Sequence, residues 1–461
     1  MKNKTIIYSL SLIFVLSVTN ISAQQKHYVL KLKDAIQIAL SNNPADKIAQ
    51  SKIKEAEGKI IQAHSLYVPK LDLLGKYFYT NNLPNFFPQQ MKQVPVMSST
   101  GPVPGEFVPL RPLSPFPSNN RDVFTMDLNL VYPLYTGGKI TKANKNAKIL
   151  KSLFESNRMQ TDADIVHKVK KAFYNILFLN DVIGVNQKVI KQLEEHLQLA
   201  KKAYDEGVRS EFEVISFEAK IDEFKSKLVD LKGKLQIATT GLKNLLNLPL
   251  VDSLECDGEL NISGEFNNIN EPEQLEEILN ENHQLQMLKK KEGLLGNLAV
   301  INEAGNKPTL FAFANYHLYH GKDFPPYDDS WRNGWAAGLG ISMKIFDGSF
   351  TNGKVQEAKA SIEEVKNKEE GLILKLRFQV KSINENIASL KSQLEAFNKT
   401  LMVANKGYEI AKVSYKNGVI TNVQLDDAQL NVLRNETRIL QIKKELLIEK
   451  ANLDFIKGVI N

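Results

Sequence analysis

Tyr204-Asp205-Glu206-Gly207-Val208 and Tyr415-Lys416-Asn417-Gly418-Val419 share one pattern, Tyr-x-x-Gly-Val, 211 positions apart. Each interrupts a long helix-patterned stretch, and each is followed, three residues after its glycine, by a hydroxyl residue, Ser210 or Thr421. Glycine accepts the left-handed backbone of a tight turn. A hydroxyl can cap the helix that follows. The two stretches therefore read as tips of two helical hairpins.

The flanking sequence fits that reading. From Lys139 to Tyr204 there is no proline, and Val166, Val169, Phe173, Ile176, Ile183, Ile190, Leu193, Leu197 and Ala200 fall largely at alternating spacings of three and four. This is a heptad-like seam. A helix of that length runs on the order of 100 Å at ~1.5 Å per residue, which suits a structure that bridges a space. Beyond Gly207, Phe212 to about Leu246 reads as the returning helix.

Upstream, Leu30 to about Ser65 is helical in pattern, broken at Asn43-Pro44, and stops at Pro69. The period then changes to two. Leu71, Leu73 and Tyr77-Phe78-Tyr79 form one expected strand; Met126, Leu128, Leu130, Tyr132 and Leu134 form another. Between them, residues 84–117 hold nine of the 17 prolines and are expected to be a long loop, since proline is excluded from helix and interior strand. Thr136-Gly137-Gly138 marks a sharp strand-to-helix turn with Thr136 as N-cap.

The second half repeats this order. Pro69-Lys70-Leu71 recurs as Pro308-Thr309-Leu310, 239 positions on. Leu128, Leu130, Tyr132 and Leu134 recur as Leu339, Ile341, Met343 and Ile345, and Thr136-Gly137 as Asp347-Gly348, 211 positions on. The fall from 239 to 211 leaves 28 extra residues between the first two strands, which is the proline-rich insertion. The expected domains are a signal peptide at 1–23, a first repeat at 24–255, a linker at 256–272 and a second repeat at 273–461.

The N-terminus carries Lys2 and Lys4, an apolar run from Ile6 to Val18, and Ile21-Ser22-Ala23 before the expected cleavage point. One cysteine, Cys256, excludes an internal disulfide. The +7 net charge is spread along the chain, so no nucleic-acid partner is expected. No later stretch is apolar enough for a membrane-spanning helix, so a membrane location requires β-strands. Four strands per chain cannot close a barrel, which requires several chains to share one. Tyr77, Tyr79, Tyr135, Tyr316, Tyr319, Trp335 and Phe346 stand near strand ends, as interface girdles do.

In this order and spacing the motifs Leu30-Lys31-Leu32-Lys33-Asp34-Ala35, Ala39-Leu40, Asn43-Pro44, Pro69-Lys70-Leu71, Pro133-Leu134-Tyr135-Thr136-Gly137-Gly138 and the two Tyr-x-x-Gly turns make the chain resemble the TolC-like outer-membrane efflux protein family. The resemblance implies an α+β membrane protein: a homotrimer with a 12-stranded β-barrel in outer-membrane lipid, continued by an α-helical barrel across the periplasm. It implies an exit duct for a tripartite efflux pump, working with a periplasmic adaptor and an inner-membrane transporter. A type I secretion duct and a non-conducting envelope scaffold or adaptor are the alternatives.

The same resemblance implies adaptor contacts at Tyr204, Gly207, Val208, Ser210, Tyr415, Gly418, Val419 and Thr421, and an acidic periplasmic gate just beyond the tip. The acids there are Asp427, with Asp426 beside it, and Glu213 in the first half. Gln424 stands where the family pattern has an acid. Ile420 stands where it has a base, and Arg209 holds the equivalent place in the other half. No nucleophile motif, phosphate loop or HExxH pattern is present, so neither enzyme activity nor a cofactor is expected. His317 and His320 lack a third ligand nearby, so no metal is expected.

Overall fold

The computed structural model describes residues 26–80, 93–98, 101–109, 121–262, 271–320 and 330–460. The expected signal peptide lies outside them. Contacts divide the chain into two compact units: residues 1–48, 158–282 and 375–461 form one, and 49–157 and 283–374 the other.

The repeat is visible in the element bounds. Helices α1 (Leu32–Asn42) and α2 (Pro44–Ser65) match α5 (Glu271–Glu281) and α6 (His283–Glu303). The long helices α3 (Lys139–Asp205) and α7 (Phe350–Lys416) have 67 residues each and both start and stop 211 positions apart. Their returning partners are α4 (Glu211–Leu245) and α8 (Asn422–Lys457). The break between α1 and α2 has a local cause: Pro44 opens a helix without needing a hydrogen-bonded N–H, and the Asn43 side chain accepts from Ala45 N at 2.9 Å.

In the second unit, four antiparallel strands form one sheet. These are β2 (Lys70–Thr80), β5 (Arg121–Tyr135), β7 (Thr309–His320) and β8 (Trp331–Ser342), ordered β2-β5-β7-β8. Register places Leu71, Leu130, Ala314 and Ala337 on one row, and Leu73, Leu128, Tyr316 and Trp335 on the next. The opposite face carries Asp72-Asn129-Asn315-Ala336 and Leu74-Asp127-His317-Gly334. The sheet thus has one apolar face and one mixed, polar face. Among the described residues, β2 and β8 pair on one side only.

Strand β8 is shorter than its sequence pattern. Alternation continues through Met343 and Ile345, but β8 pairs only with β7, and that register ends at Thr309↔Ser342. Beyond that point no strand among the described residues pairs with it. The proline-rich segment also departs from a plain loop. Its described residues form a hairpin of β3 (Gln93–Ser98) and β4 (Gly101–Pro109) with an irregularity between Pro95 and Met97. Among the described residues each strand has one neighbour, and a two-stranded ladder leaves half of its backbone N–H groups unpaired, positions where proline is tolerated. A further pairing has no sequence signal: β1 (His27–Leu30) runs parallel to β6 (Ser253–Cys256), which places Cys256 in a strand.

In the first unit, one core joins α1, α3 and α4 through Ile36, Val169, Phe173, Leu242 and Leu246. A second core joins α3, α4, α7 and α8 through Leu193, Phe217, Phe224, Tyr408, Leu425 and Leu433. No helix among the described residues is long and apolar enough to cross a membrane.

Candidate functional site at the paired hairpin turns

Both Tyr-x-x-Gly stretches fold into the same helix terminus. Gly207 N donates to the Tyr204 carbonyl at 2.8 Å and Val208 N to the Ala203 carbonyl at 2.9 Å. In the second copy Gly418 N donates to the Tyr415 carbonyl at 3.0 Å and Val419 N to the Ser414 carbonyl at 2.9 Å. These are paired Schellman bonds, which need a left-handed residue after the helix; Gly207 and Gly418 both have φ of +74°.

The capping hydroxyls differ. Thr421 caps α8 in a reciprocal box: Gln424 N donates to Thr421 Oγ1 at 3.4 Å, and Thr421 N donates to Gln424 Oε1 at 3.1 Å. Gln424 is thereby engaged in the cap. Ser210 occupies the N-cap position of α4 but makes no side-chain cap bond. The equivalent of Gln424, Glu213, is turned elsewhere.

Glu213 belongs to a cluster joining the two turns. Arg209 Nη1 donates to Glu213 Oε1 at 3.1 Å, and Arg209 Nη2 to the Tyr415 carbonyl at 2.8 Å. The Tyr415 hydroxyl donates to Glu213 Oε2 at 3.0 Å. The guanidinium also lies over the Tyr415 ring, 4.6 Å from its centroid. Arg209 therefore neutralises the carboxylate and adds a second hydrogen bond to the Tyr415 carbonyl in one side chain. Burial, then the bond to Glu213, pushes the Tyr415 hydroxyl pKa well above its ordinary range, so it stays a donor.

The two tyrosines of the repeat are thus not equivalent. Tyr415 is 4% exposed and Tyr204 44%. Val208 and Val419 are both exposed, as are Gly207, Ser210, Gly418 and Thr421. They form an apolar-edged surface around each turn.

The two adjacent acids also part company. Asp426 is buried and pairs with Lys220 of α4 at 3.3 Å. Burial raises its pKa, and Lys220 offsets this. Asp427, one residue on, is exposed.

Sequence reasoning passed over His196, which is 1% exposed and shares a 3.0 Å hydrogen bond with the Tyr408 hydroxyl across α3 and α7. The signal was present: Val189, Leu193, His196 and Ala200 follow three-four spacing, which places a histidine on a buried seam.

The strand-to-helix turns are built by different means. Gly137 and Gly138 have φ of +63° and +89°, and Thr136 Oγ1 accepts from Ile140 N at 3.4 Å. At the second turn Gly348 has φ of +65°, and the Asp347 carboxylate accepts from Thr351 N at 3.0 Å and Thr351 Oγ1 at 2.6 Å. His317 and His320 lie three residues apart in a strand and so face opposite ways: His317 pairs with Asp127, and His320 meets the Trp331 ring at 4.7 Å.

The family profile described as outer membrane efflux protein matches residues 35–248 and 275–459. Outer membrane protein TolC of Salmonella enteritidis is 21% identical over 321 residues, 66% of this chain, and that of Escherichia coli K12 is 20% identical over 322, also 66%. The chain spans 62% and 63% of the lengths of these relatives. Among solved structures, VceC of Vibrio cholerae superimposes with a TM-score of 0.75 at 16% identity, covering 93% of this chain and 96% of that one. The CmeC outer membrane channel of Campylobacter jejuni gives 0.70 at 16% identity, covering 93% and 85%.

Proposed function

The chain belongs to the outer membrane efflux protein family, an outer-membrane protein that extends into the periplasm, and from that premise we propose that it is the exit duct of a tripartite efflux pump. The observation that carries the reading is the open sheet. Four antiparallel strands with an apolar face and two one-sided edges, β2 and β8, cannot rest in lipid alone, because unpaired backbone groups there cost several kcal/mol each. An even strand number lets β8 of one copy meet β2 of the next in antiparallel pairing. Such a head-to-tail contact closes a ring, and three copies give 12 strands.

The helical hairpins then form a periplasmic tunnel. Val208 and Val419, exposed beside left-handed glycines, are the surface offered to a periplasmic adaptor, with an inner-membrane transporter beneath. The Arg209–Glu213–Tyr415 cluster is a latch that holds the two turns of one chain together. Asp427, exposed, supplies the carboxylates of the mouth; Asp426 serves the α4–α8 contact.

Native mass spectrometry of the detergent-solubilised protein tests the assembly. Three chains per particle are expected; a monomer would overturn the shared barrel. Photo-crosslinkers at Val208 and Val419 are expected to capture an adaptor, whereas capture from the strand-proximal turn at Gly138 alone would displace the docking site.

A further inference from the structure

We propose that His196 is a proton-sensing residue whose protonation loosens the four-helix packing behind the hairpin turns and opens the latch. The proposal deepens the duct reading and rests on it.

The geometry is a short chain of contacts. His196 lies on α3, buried, bonded to Tyr408 of α7. Its ring meets Phe217 of α4 at 6.0 Å, and Phe217 meets Tyr415 at 6.0 Å, edge to face. Tyr415 is the hinge of the latch with Arg209 and Glu213. His196 Nδ1 is buried without a hydrogen-bond partner among the described residues. A neutral imidazole tolerates that as the Nε2–H tautomer, in which Nε2 donates to the Tyr408 hydroxyl and Nδ1 carries no proton. An imidazolium carries a proton on both nitrogens, so Nδ1–H would be left with no acceptor in a packed core.

The charged surroundings do not supply one. On α3, Glu195 favours the charged form; on α7, Lys412 opposes it. The Tyr408 hydroxyl is itself held neutral, its pKa pushed up to about 12 chiefly by burial, with Glu409, Glu195 and Asp426 adding to it. On α8, Asp426 meets Lys220 of α4 through Oδ2, its Oδ1 has no hydrogen-bond partner among the described residues, and Asp427 and Glu223 lie nearby; none of the three is among the charges that act on His196. Desolvation dominates and lowers the His196 pKa below its ordinary 6.5.

The sign follows by linkage. The packed state binds the proton less tightly than a loosened state in which the ring meets water. Packing is therefore undisturbed above 6.5 and is penalised as pH falls below it, by at most roughly tenfold in the packed-to-loosened ratio per pH unit for one proton. A compartment that follows external acidity would deliver that signal.

Spin labels at Val208→Cys and Val419→Cys in the full-length protein read the turn-to-turn distance directly; Cys256 is buried. Between about pH 7.5 and about pH 5.5 the wild-type background is expected to gain a longer-distance population, with a midpoint below 6.5. His196→Gln, which keeps a polar side chain but cannot titrate, is expected to abolish the gain, whereas Asp426→Asn is expected to retain it. An invariant distance in the parent, a midpoint in the carboxylate range, or a response kept in His196→Gln and lost in Asp426→Asn would overturn the proposal. Should His196→Gln fail to assemble, the parent's midpoint alone decides. The duct reading fails separately, by absence of conductance at both pH values.

Discussion

The Tyr415 hydroxyl donates to Glu213 Oε2 at 3.0 Å, tying the turn that ends α7 to the first turn of α4 across 202 positions of sequence. Arg209 completes the tie by binding the same carboxylate and the Tyr415 carbonyl. One buried hydroxyl, one carboxylate and one guanidinium thus fix the relative placement of the two hairpin turns.

Breaking that tie is expected to favour an open tip. Tyr415→Phe removes one hydrogen bond and keeps the ring, a loss of about 1 kcal/mol. Arg209→Ala removes two bonds and leaves the part-buried Glu213 carboxylate without its cation, about 1–3 kcal/mol. Open probability in planar bilayers is expected to rise roughly fivefold for Tyr415→Phe, which is 1 kcal/mol expressed as an equilibrium ratio, and more for Arg209→Ala. Equal, unchanged openings in both variants would dismiss the latch.

The glycines of the turns separate strain from collision. A Cβ at Gly207 or Gly138 would meet nothing within 4 Å, whereas at Gly137 it would lie 2.9 Å from Lys307 Cβ. All three have positive φ. Alanine at Gly207 or Gly138 is expected to cost only the left-handed penalty of about 1–2 kcal/mol; Gly137→Ala is expected to cost more, measured by thermal unfolding. A Gly137→Ala melt no lower than that of Gly138→Ala contradicts this.

The two faces of the sheet should respond differently to charge. Leu339 shares the apolar face with Trp335 and Ile341, while Ala336 lies on the face of Asn315 and Asn129. Leu339→Arg is expected to cost roughly 2–4 kcal/mol in lipid and to reduce outer-membrane assembly, while Ala336→Arg assembles and alters conductance. Equal assembly of both would mean that the apolar face does not meet lipid.

Asp426 and Asp427 are expected to part by phenotype. Asp427→Ala should weaken block by multivalent cations with little change in melting temperature. Asp426→Ala leaves Lys220 unpaired at the α4–α8 contact and should lower the melting temperature. Cation titration of single channels together with thermal unfolding distinguishes them; a reversed pattern refutes the assignment of Asp427 to the mouth.

The repeat was readable in the sequence because helix ends and strand registers are set locally, by Thr136-Gly137-Gly138, by Asp347-Gly348 and by the two Tyr-x-x-Gly turns. What was not readable depends on partners far away in the chain. Tyr204 and Tyr415 share a motif, yet only Tyr415 is covered, because Arg209 and Phe217 pack on it. Ser210 and Thr421 share a position, yet only Thr421 caps; the backbone N of Glu213 donates to the Ser210 carbonyl, and its carboxylate is drawn to Arg209. Asp426 looks like its neighbour in sequence and is removed from solvent by one helical step. The β1–β6 strands have too few residues for periodicity to register, and prolines hid the β3–β4 hairpin.

Single-channel recording of the purified full-length protein in planar bilayers at neutral pH bears most directly on the shared barrel. Long-lived conductance steps of one unit size, lengthened in open time by Arg209→Ala, are the expected result. A protein that inserts without conducting, or whose steps are indifferent to Arg209, would contradict a duct gated at its hairpin turns.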